Sequence, residues 1–246
     1  MRPHLSPLTK GRYSARLAAT AEDVEAAQRL RTRCFGTGEI DRDGFDALCA
    51  HVLIHDRSTG TLVCCFRMLV LDGGHELHRS YSAQYYELAA LRSFPGRMVE
   101  MGRFCVHPDV SDPDILRIAW GAMTGFVDRN GIEMLFGCSS FAGTETADYL
   151  DAFAVLKARH LAPKRWLPRV KAPDVFRFAA RLRRKPDMRK AMARMPPLLR
   201  TYLMMGGWVS DHAVVDRQMN TLHVFTGVEI EAIPPERKRL LRAVAG

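Results

Sequence analysis

Apolar residues recur along this chain with two different spacings, and each spacing predicts a different kind of element. Alternating or continuous apolar runs predict strands at 12–18, 51–55, 61–70, 98–107, 132–139, 208–209, 213–216 and 222–230. Helical spacing predicts helices at 20–35, 85–91, 112–130, 144–159, 175–184 and 198–205. Strands and helices alternate in the first half of the chain, so the sequence predicts an α/β (α+β) fold with a mixed central sheet flanked by helices.

Local signals sharpen two of these helices. Thr20 precedes the first apolar position of one helix, and Asp23 follows at the spacing of a capping box. Asp112 followed by Pro113 is typical of a helix start, and Asn130-Gly131 is typical of a helix end. We expect one domain over residues 1–246, with a helical insertion at about 157–205.

Composition narrows the class of protein. No apolar run approaches the roughly 18 residues that a membrane span needs, and the N-terminus lacks the apolar core of a secretory signal. The six cysteines include no Cys-x-x-Cys pair, and adjacent Cys64 and Cys65 point to opposite faces of a predicted strand. We therefore expect reduced thiols, no metal site and a cytoplasmic protein.

The net charge of +9 is unevenly distributed. Residues 157–200, here called the basic arm, hold fifteen Lys or Arg against only Asp174 and Asp187. The rest of the chain is therefore mildly acidic. A segment of this kind predicts contact with an acidic partner or surface, or a solvated charged face.

The run from Glu100 to Pro108 is the most unusual strand, because it carries Glu100 and Arg103 within an apolar stretch. A regular strand would place these two side chains on opposite faces. A bulge near Gly102 would bring them closer and leave a backbone N–H unpaired, which could stabilise the oxyanion of an acyl transfer. The alternative is a buried ion pair or a pair of strand-edge charges.

Together with other motifs, this strand resembles a known family. The order of strand, Glu-x-x-Arg, proline-containing loop, helix and strand resembles the GNAT acyltransferase fold, and the strand itself resembles that of acyl-homoserine-lactone synthases. The combined motifs resemble L-ornithine Nα-acyltransferases over about residues 12–230. Those motifs are Arg31 to Phe35, the acidic run Glu39 to Asp46, Leu135 to Phe141, 195–199, Tyr202 and 214–221.

The resemblance implies transfer of a 3-hydroxyacyl chain from acyl carrier protein to the α-amine of L-ornithine, giving lyso-ornithine lipid. Ordinary GNAT enzymes hold the pyrophosphate of coenzyme A in a glycine-rich loop, but here His107 to Pro113 occupies that place. Its two prolines lack N–H groups and its two carboxylates repel phosphate. This favours a donor whose 4'-phosphopantetheine is carried on acyl carrier protein, with no bound cofactor.

The resemblance also assigns roles to residues. Glu100 is the candidate base, and Arg103 could hold a donor phosphate, the substrate carboxylate or Glu100. The acidic run could instead be a solvated loop, and Ser139 and Ser140 could cap a strand end. The candidate donor-binding residues are Phe104, Cys105, Val106, Ser139 and Ser140, and the candidate acceptor-binding residues are Arg33, Phe35, Glu39 and Asp41.

Covalent catalysis by cysteine is disfavoured. No histidine lies in a motif that would activate Cys105 or Cys138, and strand cysteines are usually part of the core. His107 at the strand exit is more typical of a structural histidine than of a base.

The basic arm has two candidate partners, the acidic carrier protein and an anionic membrane. Apolar and basic residues mix in 175–184 as in an interfacial helix, so we expect peripheral contact with the inner membrane face through 164–194. The rival enzymes are acyl-homoserine-lactone synthases, whose loop tryptophan has no counterpart at 36–45, and other amino-acid N-acyltransferases. A basic module that binds membrane or nucleic acid is the non-enzymatic alternative, and lack of a recognised module argues against nucleic acid.

Overall fold

The computed structural model describes residues 3–245, which form two compact units. Unit 1 holds the described residues up to Val70 together with Val99–Glu133 and those from Pro234 onwards. Unit 2 holds Leu71–Met98 and Met134–Ile233. The single domain over 1–246 stays a prediction, and its ends at 1, 2 and 246 lie outside the described residues.

The strands and helices follow one another in mixed order. The strands are β1 Leu8–Lys10, β2 Tyr13–Leu17, β3 Ala50–Asp56, β4 Leu62–Leu71, β5 Tyr86–Glu87, β6 Arg97–Val106, β7 Ile132–Ala142, β8 Arg169–Val170, β9 Val175–Phe176, β10 Trp208–Val209, β11 Ala213–Asp216 and β12 Thr221–Glu229. The α-helices are α1 Ala21–Phe35, α2 Pro113–Asn130, α3 Leu150–Arg159, α4 Phe178–Arg181, α5 Met188–Arg194, α6 Pro197–Met204 and α7 Pro235–Ala245. Short 3₁₀ helices lie at Gly74–Arg79, Ser82–Gln84, Ala89–Leu91 and Thr146–Tyr149.

Unit 1 is built on strands in the order β1-β2-β3-β4-β6. The pairs from β1 to β4 are antiparallel, as short connections allow. Helix α1 packs Ala27 and Leu30 on Leu53, Cys65 and Cys105 of the sheet.

Both predicted caps of unit 1 are confirmed. The hydroxyl of Thr20 accepts from the N–H of Asp23, and Gly36 ends α1 in the left-handed conformation. The carboxylate of Asp112 accepts from the N–H of Asp114 at the start of α2. Polar groups that the helix ends leave without partners are thereby satisfied within the local sequence.

Unit 2 is built on antiparallel strands in the order β7-β12-β11-β9, with β10 paired to β12. One face of β7 and β12 packs Phe141 and Val224 against Phe153 of α3. A separate two-stranded ribbon pairs β5 with β8.

Two helix predictions in unit 2 are wrong. Residues 85–91 form β5 and a 3₁₀ turn, and only Phe178–Arg181 is α-helical within 175–184. Val175 and Phe176 instead pair with β11, and Phe178 is fully buried in the core of unit 2. The apolar side chains that suggested an interfacial helix therefore pack inside the protein.

Some elements of the structure have no counterpart among the predicted strands and helices. The sequence reasoning missed β1, α5 and α7. Among residues 3–245, no helix is both long enough and apolar enough to cross a bilayer.

Helix α7 packs against α2 in unit 1, and one glycine permits the close approach. A Cβ at Gly121 would lie 2.9 Å from Cγ1 and 3.0 Å from the carbonyl oxygen of Val244, and 3.0 Å from Leu8. A Cβ at Gly125, one turn later, would lie 3.1 Å from the end of the flexible Arg129 side chain and at an ordinary contact distance of 3.9 Å from Leu5. Alanine can therefore replace Gly125 with little strain, whereas at Gly121 it would require neighbouring atoms to move.

Alanine at the two positions should have opposite effects. We expect Gly125→Ala to raise the free energy of unfolding by up to about 1 kcal/mol, the difference in helix propensity. We expect Gly121→Ala to lower it by about 1–3 kcal/mol, because backbone and core atoms of α7 and β1 must move. Urea denaturation of both variants measures this, and equal stabilisation by the two alanines would contradict the close packing of α7 on α2.

Candidate active site

Strand β6 carries the two residues that the sequence analysis singled out. Glu100 is buried, with only 5% of its surface exposed. Arg103 has a φ of +52°, in the left-handed region that residues other than glycine rarely adopt. The bulge near Gly102 stays a prediction, and the backbone departs from regular strand geometry at the next residue, Arg103.

A buried network of ion pairs surrounds Arg31 of α1, whose side chain is 1% exposed. Its Nε donates to Oδ1 of Asp41 at 2.9 Å, and its Nη1 donates to Oδ1 of Asp46 at 2.7 Å. Asp41 also accepts from Nε of Arg103 at 3.2 Å, and its backbone N–H donates to Thr32 Oγ1. The Arg31 guanidinium therefore fixes Asp41 and Asp46 of the acidic run, and Arg103 links Asp41 to β6.

Arg67 of β4 is the second buried guanidinium of the network. Its Nη1 and Nη2 donate to the two carboxylate oxygens of Asp43 at 2.6 and 2.8 Å, and Nη1 also reaches Asp46 at 2.8 Å. Nη2 of Arg103 lies 3.5 Å from Asp43. Each of the three aspartates thus has two arginine partners, and Asp43 is the most exposed of them, at 25%.

The network keeps the carboxylates of Asp43 and Asp46 charged. Burial alone would raise the pKa of Asp46, but hydrogen bonds from Arg31, Gln28 and Arg67 bring it far below the ordinary value. Burial would likewise raise the pKa of Asp43, but the hydrogen bond and the positive charge of Arg67 lower it below the ordinary value. Burial of Arg67 is likewise outweighed by its aspartates, which raise its pKa.

These contacts correct one interpretation of the sequence and add to another. Asp41 and Asp46 are buried and ion-paired, so the view of the acidic run as a solvated loop is wrong for them. Arg103 forms ion pairs with Asp41 and Asp43, which were not among its expected partners, and its role toward Glu100, a donor phosphate or the substrate carboxylate stays a prediction. Its guanidinium also lies 5.9 Å from the ring centre of Phe35.

The remaining acceptor-binding candidates lie outside the network. Glu39 is exposed, and its backbone carbonyl accepts from Thr37. Arg33 forms an exposed ion pair with Asp109 of the loop after β6. The structure therefore unites Asp41, Phe35 and Arg103 but not Glu39 or Arg33.

The donor-binding candidates on β6 have different environments. Phe104 stacks on Phe66, with ring centres 5.4 Å apart. The Cys105 side chain lies in the core beneath α1, so only its backbone could face a donor. The carbonyl of Val106 accepts from the thiol of Cys34 at 3.2 Å.

The thiols of Cys49 and Cys105 are poor nucleophiles. The Cys105 and Cys65 sulfurs lie 3.5 Å apart. The contact with Cys34 lowers the pKa of Cys105, but the contact with Cys65 and burial raise it well above its ordinary value. Burial raises the pKa of Cys49 to about 12, with a contribution from the negative charge of Glu100. Thiolates are the reactive form, so this chemistry argues against an acyl-enzyme on Cys105.

The loop from His107 to Pro113 places its own carboxylate at the start of α2. Asp112 accepts from the N–H of Asp114 at 2.9 Å and from the Tyr13 hydroxyl at 2.7 Å. Pro113, the first residue of α2, has no N–H to offer. The end of this helix is therefore already capped by an anion, where a phosphate would otherwise bind.

Ser139 and Ser140 lie in unit 2, within β7. The strand continues to Ala142, so the interpretation of these serines as strand-end caps is wrong. Ser139 is buried and its hydroxyl accepts from Thr226 at 2.9 Å, whereas Ser140 is exposed. The two serines thus face opposite sides of the sheet.

The sequence reasoning missed Arg67 and gave Arg31 no role of its own. A signal for Arg67 existed, because it is the only charged residue in the apolar run Leu62–Leu71. Such a charge in a buried strand requires a partner. Within residues 3–245, no group of three or more His, Cys, Asp or Glu side chains is arranged to hold a metal ion.

Comparison with known proteins shows which families this chain resembles. Residues 25–121 match the acetyltransferase (GNAT) domain family, which covers the network and β6. The L-ornithine N(alpha)-acyltransferase of Rhodobacter capsulatus is 33% identical over 243 residues, covering 92% of this chain and 93% of that protein. The protein of the same name from Rhizobium meliloti is 29% identical and covers 89% and 80%.

A solved structure supports the fold. An N-acyl amino acid synthase from uncultured soil microbes superimposes with a TM-score of 0.50, covering 98% of both chains at 11% identity. The predicted GNAT-like fold, a mixed sheet flanked by helices, is confirmed by this likeness and by the family match. The chain belongs to the L-ornithine N(alpha)-acyltransferase family and is an acyltransferase.

Proposed function

We propose that this protein transfers a 3-hydroxyacyl group from the 4'-phosphopantetheine of acyl carrier protein to the α-amine of L-ornithine, giving lyso-ornithine lipid. The observation that carries the proposal is its relationship, over nearly its whole length, to a protein named L-ornithine N(alpha)-acyltransferase. The buried carboxylate of Glu100 on β6, three residues before the left-handed Arg103, is the proposed source of the chemistry.

In the proposed reaction, the amine nitrogen attacks the thioester carbonyl. A new C–N bond forms, the C–S bond breaks, and the sulfur of phosphopantetheine leaves as the thiol. Glu100 takes a proton from the amine, directly or through a water molecule, and the leaving sulfur receives one. Backbone N–H groups at the irregular part of β6 are the candidates to stabilise the oxyanion, with Phe104, Cys105 and Val106 along the donor.

The network supplies the proposed acceptor site. Ornithine carries a side-chain ammonium, and Asp43 is the network carboxylate with the largest exposed fraction. We propose that Asp43, with Asp41 behind it, attracts this ammonium. Arg33, Phe35 and Glu39 remain proposed acceptor residues, and Arg103 acts by holding Asp41 and Asp43.

The capped start of α2 supports a donor on carrier protein rather than free coenzyme A. The Asp112 carboxylate occupies the helix end that would hold a pyrophosphate, and 4'-phosphopantetheine on a carrier protein has no pyrophosphate. Acyl carrier proteins are acidic, and the basic arm is their proposed docking surface.

A peripheral contact with the inner membrane face through 164–194 remains part of the proposal. Phe176, Phe178, Ala179 and Leu182 pack in or against the core of unit 2, so the contact would use α5. This helix exposes Met188 and Met192 beside Arg189, Lys190 and Arg194. Such a surface suits anionic lipid as well as an acidic protein.

One assay tests the proposed function. Purified protein is incubated with 3-hydroxyacyl carrier protein or 3-hydroxyacyl coenzyme A, and with single amino acids or S-adenosylmethionine, and products are identified by mass. We expect lyso-ornithine lipid from the carrier-protein donor with ornithine. Product with S-adenosylmethionine alone would overturn the proposal in favour of a lactone synthase.

Removal of the proposed base should slow the chemical step. We expect Glu100→Gln to lower kcat by about 10²- to 10⁴-fold, with little change in the KM for either substrate. Glu133→Gln, at an exposed position of β7, is the matched control and should keep full activity. A Glu100→Gln enzyme with the normal kcat would eliminate Glu100 as the base.

Removal of the outward carboxylate should weaken acceptor binding. We expect Asp43→Asn to raise the KM for ornithine about 10-fold while leaving the donor KM unchanged. Because the pKa of Asp43 is below its ordinary value, the carboxylate is charged above about pH 4, so the effect should be equal at about pH 6 and 8.

The control for this variant is Asp128→Asn, which removes an exposed ion pair with Arg242. It should leave the KM for ornithine unchanged. If the two variants behave alike, or if Asp43→Asn changes only the donor KM, Asp43 does not bind the acceptor.

A further inference from the structure

A cavity in unit 2 is lined by residues that take no part in the proposed reaction. Its volume is about 180 Å³, and all of its lining residues belong to unit 2. The lining residues of opposite charge are Glu87 on one side and Arg92 and Lys171 on the other. Pockets for drug-sized ligands begin at about 300 Å³, so this cavity suits a smaller molecule.

Two close backbone contacts bring the charged residues to the same cavity. Lys171 follows β8, and the N–H of the next residue, Ala172, donates to the carbonyl of Tyr85 beside β5 at 3.0 Å. Gly74 lies so close to the end of the 3₁₀ helix Ala89–Leu91 that a Cβ there would stand 2.7 Å from the carbonyl oxygen of Arg92. The positions of Lys171 and Arg92 are therefore fixed by the backbone.

The cavity combines buried apolar side chains with exposed charged ones. Leu77, Tyr86 and Leu88 are buried, whereas Arg92 and Lys171 are exposed to solvent. A small ligand in the cavity would therefore lie against apolar surface while its charged groups meet the rim. Charge pairs next to such low-dielectric surface are stronger than pairs in open water.

Backbone groups hold two of the charged side chains in place. The carboxylate of Glu87 accepts from the N–H of Ala89 at 2.8 Å, and the ammonium of Lys171 donates to the carbonyl of Ala83 at 2.5 Å. The carboxylate retains a second oxygen as acceptor, and the ammonium retains two hydrogens to donate. Both side chains are thus already ordered and lose less conformational freedom when a ligand binds.

The three charged side chains do not pair with one another. Among residues 3–245, Glu87, Arg92 and Lys171 form no ion pair with each other or with any other side chain. A simple anion in the cavity would be attracted by Arg92 and Lys171 but repelled by Glu87. A molecule that carries both signs of charge can satisfy all three side chains at once.

We propose that this cavity binds the charged head group of a small free α-amino acid. The α-carboxylate pairs with Arg92 and Lys171, and the α-ammonium pairs with Glu87, by charge-assisted hydrogen bonds. The side chain of the amino acid projects toward solvent past the exposed rim. This site goes beyond the proposed function, which assigns no role in amino-acid binding to these three residues.

An NMR titration with glycine tests the proposal on the whole protein. Glycine consists of the head group alone and lacks the side-chain ammonium that Asp43 is proposed to attract. We expect glycine to bind with a Kd of about 1 mM, and acetate, which lacks the ammonium, to bind at least about 10-fold more weakly. An absence of glycine binding, or binding of acetate or inorganic phosphate as tight as that of glycine, would overturn the proposal.

Two variants separate recognition of the two charges. Glu87→Gln keeps an oxygen that can accept from the N–H of Ala89, so the local structure is retained. It should weaken glycine binding about 10-fold and leave acetate binding unchanged or tighter, because only the partner of the ammonium is lost. Arg92→Gln should weaken the binding of both ligands. A folded Glu87→Gln protein that keeps the wild-type preference for glycine over acetate would refute the assignment.

The matched control for Arg92→Gln is Arg79→Gln. Arg79 is an exposed arginine of the neighbouring 3₁₀ helix Gly74–Arg79, but it pairs with Glu76 and does not line the cavity. Arg79→Gln should therefore keep the wild-type affinity for glycine. If it weakens glycine binding as much as Arg92→Gln does, the general surface charge and not the cavity binds glycine.

A third variant distinguishes this inference from the proposed function. Asp43→Asn should leave glycine binding unchanged, because the cavity contains no residue of the network. Loss of glycine binding in Asp43→Asn, with normal binding in Arg92→Gln, would assign the amino acid to the network and refute the inference. The titration requires no turnover, so an absence of product with ornithine would refute only the proposed function.

Discussion

The part of unit 1 that contains Glu100 and the acidic run depends on the pairing of Arg31 with Asp41 and Asp46. A guanidinium that is 1% exposed costs several kcal/mol to desolvate unless carboxylates surround it. Asp41 and Asp46 meet that requirement, and their ion pairs with Arg31 hold the loop after α1 in place. Asp41 also links this loop to Arg103 of β6. The loop and the strand that carries Glu100 are therefore positioned by one set of charges.

Much of the fold follows from local sequence. The starts of α1 and α2 could be predicted because Thr20 and Asp112 satisfy nearby N–H groups whatever the rest of the chain does. Residues 175–184 could not be predicted, since their mixed apolar and basic pattern fits either a surface helix or a strand. The pairing of Val175 with Val214 of β11 decided the outcome, and that partner is distant in sequence.

The site was less predictable than the fold, for a related reason. The strand position of Glu100 could be predicted, because the local apolar pattern sets it. Arg67 lies 24 residues from Asp43, and nothing in either local pattern specifies their bidentate contact. Glu39 and Asp41 look equivalent in the sequence, but only Asp41 turns inward to Arg31, because the hydroxyl of Thr32 holds its backbone N–H.

The composition of unit 1 has a consequence for synthesis on the ribosome. Helix α2 is made early, but α7, which covers Gly121, follows only after the whole of Met134–Ile233. Unit 1 therefore cannot complete its packing while the chain is growing from its N-terminus. In the nascent protein, the surface of α2 around Gly121 stays uncovered until α7 emerges from the ribosome. This surface is therefore a candidate for recognition by chaperones during translation.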